Sequence, residues 1–370
     1  MKRVATLGAT MVLAMVGCGP SGPHPTSQMA SHVAVTHEPS GGKVTPTGRS
    51  TPAITRLDGI VLVADLSEMP APWIRVLFIP FGSDPDELKY VPAHEAPTIE
   101  PTSFAAAADG SFWIMDPANH RLCRFSMEGN LLSEIPGFNS LSRDVAIYGR
   151  DVLAMQQYQF GRLVRIRPDG SLQRYEFKSH GHSLYVSDII PAGESLAVRS
   201  SGYTRPVGSG PKGFFETALR ASAPNLRELP GVPLRSSRWF QWNDSGPQDL
   251  VLDFITPEVT TEQPIHIEVI DPPISGPQQL EGLVGAGGYV VGENDIALYV
   301  KVSGALPDGS QVGARYLLQM GSSPMLWERL PDPKGVDDDG QWRHLTRGPD
   351  GGLYLMVTDK DGIRIYRRPS

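Results

Sequence analysis

The residues best suited to chemistry by type and spacing are His180 and His182, which flank Gly181 and precede Asp188. Two histidines two apart on an extended strand face the same way and chelate zinc once a third ligand joins them. No third ligand lies nearby and the intervening glycine suits a loop. No metal site is therefore expected, and the pair reads as polar ligand contacts or turn residues. Asn119-His120 follows Asp116, and such side chains fix turns by bonding backbone amides. A mainly structural role is expected there, with His120 kept as a ligand-binding candidate. Residues 200–212 form a glycine-rich stretch with Tyr203 and Arg205, too long for a plain hairpin turn, which points to a partner-contact or lid loop. Tyr158, in residues 156–161, joins the same candidate set.

Other patterns fail on spacing. Asp337-Asp338-Asp339-Gly340 lacks the alternation and closing glutamate of a calcium loop. Gly208-Ser209-Gly210 lacks the strand-to-helix setting of a nucleophile elbow. Cys123, in phase with Phe125 and Met127, reads as a small buried apolar residue. No catalytic residue and no cofactor is expected.

Any such site must be held by many short strands. The chain has 370 residues, 40% hydrophobic and 20% charged, and its 39 glycines and 34 prolines are spread throughout. That spread implies many turns. The net charge of −7, with no long basic run after Arg3, argues against a nucleic-acid partner.

A glycine turn followed by an apolar strand recurs from residue 52 onward. The copies start at Gly59, Gly110, Gly149, Gly193, Gly246, Gly292 and Gly351. Most are flanked by further short strands, so each unit holds four, as in a propeller blade. A solenoid would need a shorter and stricter period. The expected fold is all-β, a β-propeller of four-stranded antiparallel blades. Seven units point to seven blades, or to six if the irregular unit at Gly246 merges with a neighbour. The last unit lacks an outer strand, and residues 54–57 are expected to supply it and close the ring, which removes two apolar end faces.

The N-terminus reads as an address. Lys2 and Arg3 precede an apolar stretch, residues 4–16, shorter than the about 20 residues of a spanning helix. Its end, Ala14-Met15-Val16-Gly17-Cys18, resembles the lipobox of bacterial lipoprotein precursors, with Met15 where leucine is usual. The resemblance implies cleavage before Cys18, its acylation, and a permanent lipid anchor. Gly19 lacks the aspartate of an inner-membrane retention signal, so the outer membrane is expected in a diderm host. Residues 18–51 are poor in large apolar groups and read as a flexible tether. The expected organisation is a signal peptide over 1–17, the tether over 18–51 and the propeller over 52–370.

Residues 102–135 resemble an NHL repeat in Ala106-Ala107-Ala108-Asp109-Gly110-Ser111-Phe112-Trp113-Ile114-Met115-Asp116, Asn119-His120-Arg121-Leu122, Arg124-Phe125 and Glu128-Gly129-Asn130. Residues 149–177 are a weaker copy. The resemblance implies a propeller and little about function, because propellers host unrelated activities. The expected function is a monomeric, membrane-anchored binding module of the cell envelope. Its partner would be a protein, a glycan or a small ligand. The alternative is a metal-dependent hydrolase resembling the gluconolactonase-type propellers, whose metal-holding residues are not matched to any position here.

Overall fold

The structure, a computed structural model, describes residues 53–369 except 67–68, 93–97, 158–160, 180–181, 193–194, 204–212, 220–225, 235–237, 247, 271–282, 293–294, 306–310, 322–324 and 333–343. Six antiparallel blades form the propeller ring. Blade 1 comprises Phe104–Ala106, Phe112–Asp116, Arg121–Phe125 and Leu131–Pro136. Blade 2 comprises Val145–Tyr148, Asp151–Gln157, Arg162–Ile166 and Leu172–Glu176. Blade 3 runs from His182–Ala192 through Ser195–Tyr203 and Gly213–Thr217 to Arg227–Leu229. Blade 4 contains Val232–Leu234, Arg238–Gly246, Asp249–Ile255 and Val259–Ile270. Blade 5 contains Leu283–Val291, Asp295–Ala305, Gln311–Gly321 and Leu326–Arg329. Blade 6 has Leu345–Arg347, Leu353–Asp359 and Gly362–Arg367 from the C-terminal end.

Apolar sandwiches between successive blades hold the ring. Ile114, Phe125, Leu77 and Ile365 pack between blades 6 and 1. Met115, Leu122, Val145 and Val164 pack between blades 1 and 2. Leu153, Leu163, Val186 and Val198 join blades 2 and 3, while Tyr299, Leu317, Leu345 and Leu355 join blades 5 and 6. Each such side chain removed from water contributes about 1.5–3 kcal/mol. Cys123 lies in the first of these layers, fully buried, and burial pushes its thiol up to about 12.

The recurrent glycine turns have one chemistry. Asp109 Oδ1 accepts from Ser111 N at 3.1 Å, Asp169 Oδ1 from Ser171 N at 2.9 Å, and Asp350 Oδ1 from Gly352 N at 3.0 Å. The intervening Gly110, Gly170 and Gly351 have φ of 83°, 80° and 76°, a region that favours glycine.

Seven blades were expected and six are present. The first unit, around Asp58-Gly59, is not a blade. Its strands are shared between two others. β1 (Ala53–Arg56) and β2 (Ile60–Asp65) run parallel to Val259–Ile270 on the outer edge of blade 4. β3 (Ile74–Pro80) is the fourth strand of blade 6, pairing with Gly362–Arg367. The closing strand is therefore β3 rather than residues 54–57. The described β1 side chains, Ile54, Thr55 and Arg56, are exposed, whereas Leu77 and Ile79 of β3 are buried, so β3 rather than β1 adds to the core. Gly362 permits this docking, because a Cβ there would lie 2.2 Å from the Ile79 carbonyl oxygen.

The interruption between β1 and β2 has a local cause. Leu57 N donates to Glu262 O at 2.9 Å. The next bond of a parallel ladder would come from the N–H of residue 264 to Leu57 O, and Pro264 has no N–H. Pairing lapses and resumes at Ile60 opposite Ile265, with Gln263 Nε2 donating to Asp58 O at 2.8 Å across the gap. The far edge of β2 is covered by blade 5. Trp327 Nε1 donates to Val63 O and Tyr316 Oη to Asp65 O, both at 2.8 Å, and Arg329 Nη1 donates to Leu66 O at 2.5 Å. Trp73 Nε1 then bonds Glu328 Oε1 at 3.0 Å. The N-terminal ribbon thus straps blades 4, 5 and 6 from outside.

Candidate functional site

Each innermost strand has one lead-in position opposite a residue of the second strand, just before the strand in blades 1, 2, 4 and 6 and within it in blades 3 and 5. The six pairs are Ser103 with Met115, Asp144 with Met155, Asp188 with Arg199, Gly231 with Gln241, Gly288 with Tyr299, and His344 with Met356. In three blades the pairing is visible as a backbone bond. Met115 N donates to Ser103 O at 2.9 Å, Met155 N to Asp144 O at 2.7 Å, and Met356 N to His344 O at 2.9 Å. These positions mark one mouth of the ring.

The polar lead-in residues bind one another across blade boundaries. Ser103 Oγ donates to Asp144 Oδ1 at 2.9 Å and accepts from Val145 N at 3.1 Å. Asp144 Oδ2 accepts from Ile189 N of blade 3 at 2.9 Å. Both side chains are fully buried. A carboxylate so placed acts as a latch between blades 1, 2 and 3. On the opposite side, His344 stacks on Tyr299 with 4.0 Å between ring centroids and 2° between planes. Arg199 lies 3.9 Å from Asp188 and over the Trp242 ring at 5.3 Å, and Trp242 meets Tyr289 at 5.0 Å. Arg199 and Trp242 thereby tie blades 3, 4 and 5.

Hairpins of three consecutive blades rise past this level, that of blade 4 between its second and third strands, from Gln241–Asp253 to Gly246–Asp249. The first hairpin of blade 3 continues beyond the Asp188–Arg199 pair to Tyr185–Gly202 and Leu184–Tyr203. That of blade 5 continues beyond Gly288–Tyr299 to Gly285–Lys301 and Leu283–Ser303. The extensions wall one side of the mouth. His182, paired with Ser179, and Tyr203 both lie on the blade 3 extension, so the structure brings these two sequence-derived candidates to one hairpin end. Tyr158, His180, Arg205 and Cys18 lie outside the described residues.

His120 belongs to a different arrangement. It is exposed, with φ of 58°, and its carbonyl oxygen accepts from Gly137 N and Phe138 N at 3.0 and 3.1 Å. Beside it, Asp116 Oδ2 accepts from Asn119 Nδ2 at 2.8 Å and from Arg121 Nε at 3.1 Å. The buried Arg121 also donates to Pro85 O, Glu87 O and Glu134 Oε2 at 2.8, 2.5 and 2.8 Å. This turn clamps the segment that follows β3 onto blade 1, across the seam where the ring closes. Burial raises the Asp116 carboxyl above its ordinary range, against the opposing hydrogen bonds from Asn119 and Arg121.

The sequence reading missed Ser103, Asp144, Arg199 and His344, and noted Asp188 only as a neighbour of the two histidines. Aligning the second strands on their apolar cores, Phe112–Met115 with residues 152–155, 196–199 and 353–356, would have marked these equivalent positions. Among the described residues, no group of three or more His, Cys, Asp or Glu side chains has the geometry to hold a metal.

No protein-family model matches the chain, and no curated protein does. Solved structures do resemble it. A DUF4221-family protein from Bacteroides vulgatus shares 9% identity over 81% of this chain and 98% of its own, with a TM-score of 0.43. Virginiamycin B lyase from Staphylococcus aureus shares 14% identity over 74% and 83%, at 0.38. BamB from Moraxella catarrhalis shares 11% over 81% and 98%, at 0.34. Blade count and closure rest on the sheet topology described above.

Proposed function

We propose that this chain is a lipid-anchored, extracytoplasmic propeller that binds an envelope protein, glycan or small ligand at the walled mouth. The observation that carries the reading is the extension of blades 3 and 5 beyond the ring of lead-in residues. The prolonged hairpin of blade 3 carries the backbone of both His182 and Tyr203. By their type in the sequence, Tyr158, His180, Arg205 and His120 are proposed as further ligand contacts. Blade 1 is read as an NHL-like unit.

The test has two arms. Palmitate labelling is expected in cells producing the intact chain and lost in Cys18→Ala; labelling that survives the change overturns the anchor. A photo-crosslinking residue at position 203 is expected to capture a partner that the same residue at exposed position 258 does not. Equal capture from both positions, or none from 203, overturns binding at the mouth.

A further inference from the structure

The lapse in pairing between β1 and β2 leaves a cleft of ≈370 Å³ lined by Arg56, Gly59, Ile60, Val61, Asp249, Leu250, Val251, Pro264, Ile265 and His266. It lies on the outer rim of blade 4, away from the mouth. Its floor is apolar and its two ends carry opposite charge. At one end is Arg56, exposed and without an ion pair among the described residues. At the other, Asp249 Oδ1 holds His266 Nδ1 at 2.8 Å, and both groups are half-exposed. That bond fixes the imidazole and leaves the Asp249 carboxylate half-exposed at the cleft.

We infer that this cleft binds a short zwitterionic peptide, its terminal carboxylate on Arg56 and its terminal ammonium on Asp249. Apolar side chains of the ligand would lie on Val61, Val251 and Pro264. The register supports the length. Arg56 is opposite Glu262 and Asp249 is opposite His266, on either side of the same strand. Four residues along that strand and two strand spacings across it separate their Cα atoms by about 16 Å. The reach of the two side chains shortens this toward the about 10 Å of an extended tripeptide. A guanidinium at one end and a carboxylate at the other reject a simple anion or a simple cation, each of which would leave one rim charge unanswered. Pro264 lies at the lapse, where the registers of β1 and β2 also differ by one residue. The inference stands apart from the mouth and from the anchor.

Calorimetry with the full chain tests it, using the tripeptide Ala-Leu-Ala, its N-acetyl form and its C-terminal amide. The free tripeptide is expected to bind, and each capped form to bind at least tenfold more weakly. Arg56→Ala is expected to weaken the free tripeptide as much and to cease distinguishing acid from amide. Asp249→Asn, which keeps the oxygen that holds His266, is expected to cease distinguishing free from acetylated peptide. Capping alters the ligand alone, so it reads the site even where a variant loses stability. No binding of the free tripeptide, or equal binding of either capped form to the unaltered chain, overturns the inference.

Discussion

Ser103 Oγ donates to Asp144 Oδ1 at 2.9 Å, linking the lead-in residues of blades 1 and 2, while Asp144 Oδ2 takes the Ile189 amide of blade 3. One buried carboxylate therefore joins three blades at the mouth. Asp144→Ala strands the Ile189 N–H and the Ser103 hydroxyl in the interior, a cost of about 1–3 kcal/mol for each unsatisfied group. Urea unfolding should show a lowered midpoint at unchanged slope. Ser103→Ala is also expected to destabilise, because it removes the bonds to Asp144 Oδ1 and Val145 N while keeping that to Ile189.

Arg121 is the counterpart at the closing seam, where it holds Asp116, Glu134 and two carbonyls of the segment after β3. Arg121→Ala leaves Asp116 buried and uncompensated, and a loss of about 3–5 kcal/mol is expected. Asp116 also shapes the pH dependence. Its carboxyl is raised by burial in the fold, so the folded chain binds this proton more tightly than the unfolded chain. Its contribution to stability is fullest below the ordinary carboxylate range and falls as pH rises through that range. Asp116→Asn should flatten this component, measurable as the difference between unfolding midpoints at acidic and neutral pH.

At Gly362 a methyl group would meet the Ile79 carbonyl oxygen at 2.2 Å, whereas at Gly149, with φ of 63°, nothing lies within 4 Å. Gly149→Ala should cost only the backbone term of about 1–2 kcal/mol. Gly362→Ala should cost more, because it displaces β3. Thermal unfolding of the two variants side by side checks the order.

Cys123 is fully buried, with its thiol pushed up to about 12. Iodoacetamide at mildly alkaline pH should leave it unmodified in the folded protein and label it after denaturation. Mass spectrometry of the two samples measures the difference.

The strands and turns were legible because their cause is local. Phe112–Met115 alternates with its neighbours around the Asp109-Gly110 turn, and the same pattern returns at Asp350-Gly351. The blade count was not, because Asp58-Gly59 followed by Ile60 carries the same local pattern. Its strand pairs with Val259–Ile270, some two hundred residues away, and nothing in either segment announces that partner. The counted glycine turns also serve different hairpins, first to second at Gly110 and second to third at Gly246. At the mouth, the histidines of residues 180–182 drew notice by type. Ser103 and Asp144 did not, because a polar residue before a short apolar strand looks like any loop residue until the ring brings the two together.

Everything at the mouth depends on a six-bladed ring closed by β3. Two truncations test this closure, one lacking residues 1–58 and one lacking residues 1–81, compared by guanidinium unfolding. The first removes β1, whose residues 54–56 are exposed, and should unfold in a single transition near that of the full chain. The second removes β2 and β3 and should show no cooperative transition. Cooperative unfolding of the second chain at the midpoint of the first would contradict the closure.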